Sequence, residues 1–199
     1  MADNDLLDRR TAVRELLAER GDLLVVAGLG ASAWDITAAG DCATSFPLWG
    51  GMGGAAMLGL GLALAQPARR VLVITGDGEM LMGLGALATI AAQQPGNLSV
   101  VVLDNEHYGE TGGQETATRR GVDLAAMARG AGIVASRTVR RSEELPALRR
   151  EIQAGSGPLF VVVKVGAGNA PLVLPPREGA FLTARFREAV LGPDAHHQR

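Results

Sequence analysis

The feature that most constrains this chain is a pair of short apolar runs that stop at the same kind of place. Val71-Leu72-Val73-Ile74 is β-branched and of strand length, and it runs out into Thr75-Gly76-Asp77-Gly78. Leu98 to Leu103 is a second such run, and it ends in Asp104-Asn105. Between them, Glu79 to Ala92 is rich in Met, Leu and Ala, which predicts a helix starting close to Gly78. Its first turn would present free N–H groups and the positive end of the dipole to an anion. If the two strands are parallel neighbours, Asp77 and Asn105 meet at their carboxyl ends, where open α/β sheets bind ligands. One carboxylate and one amide oxygen carry too little charge for a calcium cage. They suit Mg²⁺, which keeps water and takes further oxygens from a diphosphate.

The rest of the chain extends the alternation. Leu6, Leu7, Val13, Leu16 and Leu17 make one apolar stripe on an opening helix, with Gly21 as its expected cap. A strand at Leu23 to Ala27 ends in Gly28-Leu29-Gly30-Ala31-Ser32, and Ala33 to Ala39 predicts a short helix. Ser45-Phe46-Pro47 leads into the glycine loop Gly50 to Gly54, followed by a small-residue helix from Ala55 to Gln66 that Pro67 closes. Beyond Asn105 the pattern predicts a polar loop from Gly109 to Gly121, helices over Val122 to Arg129, Ser142 to Ala154 and Glu178 to Val190, and strands at Ile133 to Ala135 and Leu159 to Val165. Such alternation implies a three-layer α/β/α domain with a mainly parallel sheet. The expected layout is one domain over residues 1–192 with a polar tail over 193–199.

Composition excludes several classes. With 19 basic against 21 acidic residues and a pI near 5.9, there is no basic field for nucleic acid. Cys42 is the one cysteine, so neither an internal disulfide nor a cysteine metal cluster is available, in keeping with a reducing cytoplasm. The N-terminus lacks the apolar core of a signal peptide, and no apolar run reaches membrane-spanning length. A soluble, cytoplasmic protein is expected.

Gly-Asp-Gly followed about thirty residues later by Asn after an apolar strand, together with Trp49-Gly50-Gly51-Met52-Gly53-Gly54-Ala55, resembles the thiamine diphosphate-dependent 2-oxo acid decarboxylases. The resemblance runs from the first helix to the strand at Leu159 to Val165. Within the family, Met-Leu-Met after Gly-Asp-Gly-Glu, the Asp-Asn-Glu-His-Tyr-Gly loop and Thr111-Gly112-Gly113-Gln114 look most like phosphonopyruvate and sulfopyruvate decarboxylases. The resemblance implies the thiamine diphosphate-binding fold and two cofactors, thiamine diphosphate and Mg²⁺. By it, Asp77, the Asn105 side chain and the His107 carbonyl bind the metal. Met52 wedges the cofactor into its bent form, and the Gly50 carbonyl accepts from its 4′-amino group. Gly51, Gly76, Gly78, Glu79, Tyr108 and Gly109 complete the implied cofactor contacts. Asp104 departs from the family, many members of which have Asn there; the second position supplies the ligand.

Each residue also has an ordinary reading. Asp77 is placed to be a helix N-cap and Asn105 a turn residue, although together with the glycine loop they favour the cofactor site. Glu79 is favoured by the helix dipole whatever its function, and is read as structural or as lying behind the metal. The His107 imidazole is a candidate for moving substrate protons, whereas the resemblance implicates only its carbonyl. Glu110, Thr111, Gln114 and Glu115 make either a closing loop or a solvated one. Arg119-Arg120 reads as a solvated pair, and His196-His197 as tail.

The family also needs a glutamate hydrogen-bonded to the cofactor's N1′, carried on a different domain. No segment of this chain matches that domain, and only one short helix precedes the diphosphate-type domain. The expectation is therefore a β-type subunit, inactive without a PYR-type α subunit that supplies the catalytic Glu, in an α2β2 or higher assembly. The implied reaction is decarboxylation of an anionic 3-substituted pyruvate to an aldehyde and CO₂. Carboligation or oxidation by the same cofactor, and a noncatalytic diphosphate-binding module, are the alternatives.

Overall fold

The computed structural model describes residues 6–196. Six parallel strands form the sheet: β1 (Leu24–Ala27), β2 (Ser45–Pro47), β3 (Val71–Gly76), β4 (Leu98–Asp104), β7 (Ala135–Val139) and β8 (Leu159–Lys164), in the order β2-β1-β3-β4-β8-β7. A separate antiparallel pair, β5 (His107–Tyr108) and β6 (Gln114–Glu115), stands outside it. The central strands are buried along their length except for half-buried Gly76 at the end of β3, as β-branched runs covered on both faces must be.

Alternation along each strand sends successive side chains to opposite layers. Leu72, Ile74, Val101, Leu103, Val161 and Val163 pack against α1 (Arg9–Leu17), α2 (Ala31–Ala38) and α7 (Leu145–Ala154). Val71, Val73, Leu98, Val100, Val102 and Phe160 pack against α3 (Ala55–Ala65), α4 (Asp77–Met82), α5 (Ala86–Gln93) and α6 (Leu124–Ala131). The last helix, α8 (Gly179–Leu191), covers the β2 edge, where Phe186 meets Phe46 at a ring separation of 5.2 Å. The three-layer α/β/α fold expected from the sequence is the observed one.

Several elements differ from expectation for local reasons. The helix expected over 79–92 is two helices, because the glycine loop presses on Gly83: a Cβ there would overlap the Gly53 carbonyl oxygen. The strand expected at 133–135 lies at Ala135–Val139, while Ile133 is core and its N–H still bonds the Ala128 carbonyl at the end of α6. Helix α1 ends at its cap Ala18; Gly21, with φ +57°, serves the turn into β1 instead. The lead-in Ser45–Pro47 is itself the edge strand β2. Gly192–His196 forms a 3-10 turn that buries Ala195, and His197 lies outside the described residues.

Candidate functional site

The register of β3 on β4 pairs Gly76 with Leu103, which brings Asp77 beside Asp104 and Asn105 at the carboxyl edge of the sheet. Asp77 opens α4 and is 1% exposed. Two hydroxyls hold one of its oxygens: Thr116 donates to Oδ2 at 2.5 Å and Thr118 lies 3.0 Å from the same atom. Thr118 also reaches Asp104 Oδ1 at 2.8 Å, so a single side chain bridges two buried carboxylates. Asp104 is neutralised from the other side by Lys164, whose Nζ lies 2.9 Å from Oδ2 and also pairs with Glu106. Burial, reinforced by the charge of Asp104 and opposed by the threonine hydroxyls, holds the Asp77 carboxyl above its ordinary range. A divalent cation would relieve that conflict.

After Asp104 the chain reverses through Glu106, a non-glycine residue at φ +63°. The Asn105 amide oxygen accepts the His107 N–H at 3.1 Å and keeps a second lone pair. His107 Nδ1 lies 2.8 Å from the Asn105 carbonyl, which can only accept; Nδ1 therefore carries a proton, and in the neutral imidazole Nε2 is the acceptor.

These residues line a cavity of about 640 Å³. Gly76 to Glu79 form its base, Met52, Leu81 and Met82 an apolar wall, Asn105 and His107 to Thr111 one rim, and Arg9, Leu29 and Ser32 another. The Tyr108 ring lies so close over Gly78 that any Cβ there would overlap it. Glu79 accepts the Leu29 N–H at 2.9 Å through Oε2, tying the β1–α2 loop to α4, while its buried Oε1 has no partner among the described residues. In the glycine loop, Gly51 and Gly53 take φ of +71° and +90°. Trp49 Nε1 anchors the loop to the Pro176 carbonyl at 2.8 Å. Met52 reaches the cavity, whereas Gly50 and Gly51 are exposed beside it and are not part of its lining.

The oxygen set fits Mg²⁺. Among the described residues no three His, Cys, Asp or Glu side chains converge into a ready-made metal cage. A hard cation at Asp77 and Asn105 would need oxygens from a bound diphosphate, as Mg²⁺ sites commonly do.

Sequence reasoning missed Thr116, Thr118, Lys164 and Arg9. The two threonines are the buried residues of the 109–121 segment, which is otherwise exposed and forms β6 and two 3-10 turns. Nothing local marks them, since they contact Asp77 across 39 and 41 residues. Arg119 and Arg120 do not line the cavity; they approach Glu106 and Glu115. Glu110 and Thr111 do line it, while Gln114 and Glu115 are exposed on β6.

An all-parallel sheet with its polar cluster at the carboxyl edge places the protein among the ligand-binding α/β domains. Within that class, residues 27–163 match the family model of the thiamine pyrophosphate enzyme C-terminal TPP binding domain, and the chain belongs to that family. It is 37% identical over 187 residues to the sulfopyruvate decarboxylase subunit beta of Methanothermobacter thermautotrophicus, covering 94% of this chain and 97% of the relative. It is 39% identical to the phosphonopyruvate decarboxylase of Streptomyces viridochromogenes, covering 94% of this chain and 47% of that protein. The sulfopyruvate decarboxylase of Methanosarcina acetivorans is 36% identical, with 92% of this chain and again 47% of the relative covered. The chain thus spans nearly all of the separate subunit and about half of the single-chain relatives. Among solved structures, benzoylformate decarboxylase from Polynucleobacter necessarius shares the fold, with a TM-score of 0.69 at 22% identity over 83% of this chain and 34% of that one.

Proposed function

We propose that this chain is the diphosphate-binding β-type subunit of a thiamine diphosphate- and Mg²⁺-dependent decarboxylase. Its substrate is an anionic 3-substituted pyruvate such as sulfopyruvate or phosphonopyruvate, and its products are an aldehyde and CO₂. One observation carries the reading: the chain covers 97% of a separate β subunit but only 47% of the single-chain decarboxylases.

In this reading Asp77, the Asn105 side chain and the His107 carbonyl hold Mg²⁺. Asp77 arrives oriented because Thr116 and Thr118 bond its Oδ2. The first turn of α4, from Gly76 to Glu79, receives the diphosphate. Gly78 leaves room there for Tyr108 to close over the base of the cavity. Met52, on a loop shaped by Gly51 and Gly53, would support the cofactor ring, and by the family resemblance the Gly50 carbonyl, outside the cavity lining, would accept from its amino group. When bound, thiamine diphosphate supplies the electron sink into which a 2-oxo acid loses CO₂. The His107 imidazole, held in the Nδ1–H tautomer, offers Nε2 to accept a proton on the substrate side. Leu81, Met82 and Met52 give the cavity its apolar wall.

The activating glutamate belongs to a PYR-type α subunit, and the shared site implies α2β2 or a higher assembly, in the cytoplasm. No described helix is long and apolar enough to cross a membrane. The test is to assay CO₂ release over a panel of 2-oxo acids with the chain alone and with its α subunit. Turnover only by the pair, and highest on 3-sulfo- or 3-phosphonopyruvate, is expected. Full turnover by the chain alone would overturn the subunit reading.

A further inference from the structure

The cavity contains a cation that the cofactor chemistry above does not use. Arg9, on the first turn of α1, is only 6% exposed and lines the cavity. Its Nε donates to Asp35 Oδ2 at 2.5 Å, while among the described residues Nη1 and Nη2 find only the Asn169 amide oxygen, both at 3.5 Å. A guanidinium has five N–H donors, and most of those on the Nη atoms are left without a short partner. The charge is also in excess. Asp35 is fully buried and accepts from Arg10 at 2.9 Å as well, so one carboxylate serves two guanidiniums. The Glu110 carboxyl lies against Gly30, where Arg9 acts on it electrostatically, but it is not among the described ion-pair partners of Arg9. Burial raises the Glu110 pKa, and the Arg9 charge opposes that shift. Among the described lining residues Arg9 is the one permanent cation.

We propose that Arg9, with its Nη donors turned into the cavity, is the residue that recognises the anionic end of the substrate, a phosphonate or sulfonate. This rests on the decarboxylase reading, and it adds to it the residue that selects the substrate class. A planar fork of donors held rigid through Nε matches a tetrahedral oxyanion, and Ser32 on the same rim offers a hydroxyl to a remaining oxygen. The same chemistry would suit a phosphate of the cofactor, so the test must separate the two sources.

The full-length chain is titrated by NMR with methylphosphonate, without Mg²⁺ or cofactor, and separately by calorimetry with thiamine diphosphate and Mg²⁺. Arg9→Gln removes the charge and keeps a donor for Asp35. Arg10→Gln removes the other partner of the same carboxylate, which does not line the cavity, and so controls for a merely structural effect. Circular dichroism melting confirms folding of both. Loss of a charge-assisted pair predicts that Arg9→Gln binds methylphosphonate about 10- to 100-fold more weakly, that Arg10→Gln binds it as the wild type does, and that thiamine diphosphate affinity changes little in either. Equal methylphosphonate binding by wild type and Arg9→Gln, or none by the wild type, overturns the proposal. So does an affinity loss confined to thiamine diphosphate, which would give Arg9 to the cofactor. If Arg9→Gln does not fold, Arg9→Lys replaces it and should weaken methylphosphonate binding by losing the fork. Failure of the wild type to bind thiamine diphosphate would strike the decarboxylase reading, while the Arg9-dependence of methylphosphonate binding would still be read on its own.

Discussion

Replacing Thr118 with Val isolates the clamp on Asp77, because Val keeps the shape and removes the hydroxyl. Thr118 Oγ1 lies 3.0 Å from Asp77 Oδ2, 2.8 Å from Asp104 Oδ1 and 2.8 Å from Thr116 Oγ1. A hydroxyl has one proton for these three acceptors, so the substitution costs one hydrogen bond to a charged, buried group. That is worth about 1.5–3 kcal/mol. For a chain of this size each kcal/mol moves the melting temperature by about 2–4 °C, so Tm should fall by about 3–12 °C without metal. Mg²⁺ with thiamine diphosphate should recover part of the loss, since the cation takes over neutralisation of Asp77. Thr118→Ser keeps the hydroxyl and should lose less than the Val variant. Calorimetric melting with and without ligand measures all of this. A Thr118→Val protein that melts within about 2 °C of wild type, the range of an ordinary surface substitution, would refute the clamp.

Two glycines of α3 should respond in opposite ways. A Cβ on Gly59 would overlap Val73 Cγ2 in the sheet, so Gly59→Ala should cost about 1–3 kcal/mol by overpacking. Gly61 is exposed with nothing within 4 Å, so Gly61→Ala should stabilise by about 0.4–1 kcal/mol. Urea denaturation reads both, and like signs would show the packing of α3 on β3 to be misassigned. Lys164→Met should destabilise strongly, toward the roughly 3–5 kcal/mol of a broken buried pair, because Asp104 and Glu106 lose their shared cation. Partial exposure of Glu106 trims that figure, and an unchanged denaturation midpoint would contradict it.

The sheet and the core of the site were legible because they depend on short stretches of sequence. Val71 to Ile74 and Leu98 to Leu103 can be little other than buried strands, and once they are parallel neighbours Asp77 and Asn105 must meet. What was hidden depends on contacts distant in the chain. The break between α4 and α5 is made by the Gly53 carbonyl, thirty residues upstream of Gly83. β2 is three residues at an edge, too short for a period-2 pattern to register. Arg9 sits on a helix whose charges look like a solvated face, and only the fold turns it inward against Asp35. Thr116 and Thr118 lie in a segment whose polarity suggests solvent, and they are buried because carboxylates are there to receive their hydroxyls.

The central claim is that the metal-and-diphosphate half of a thiamine diphosphate site resides in this chain at Asp77. Calorimetry of thiamine diphosphate binding in the presence of Mg²⁺, on the wild type and on Asp77→Ala, tests it most directly. The account predicts saturable, Mg²⁺-dependent binding by the wild type and its loss in Asp77→Ala. Equal affinity in the two proteins would contradict it.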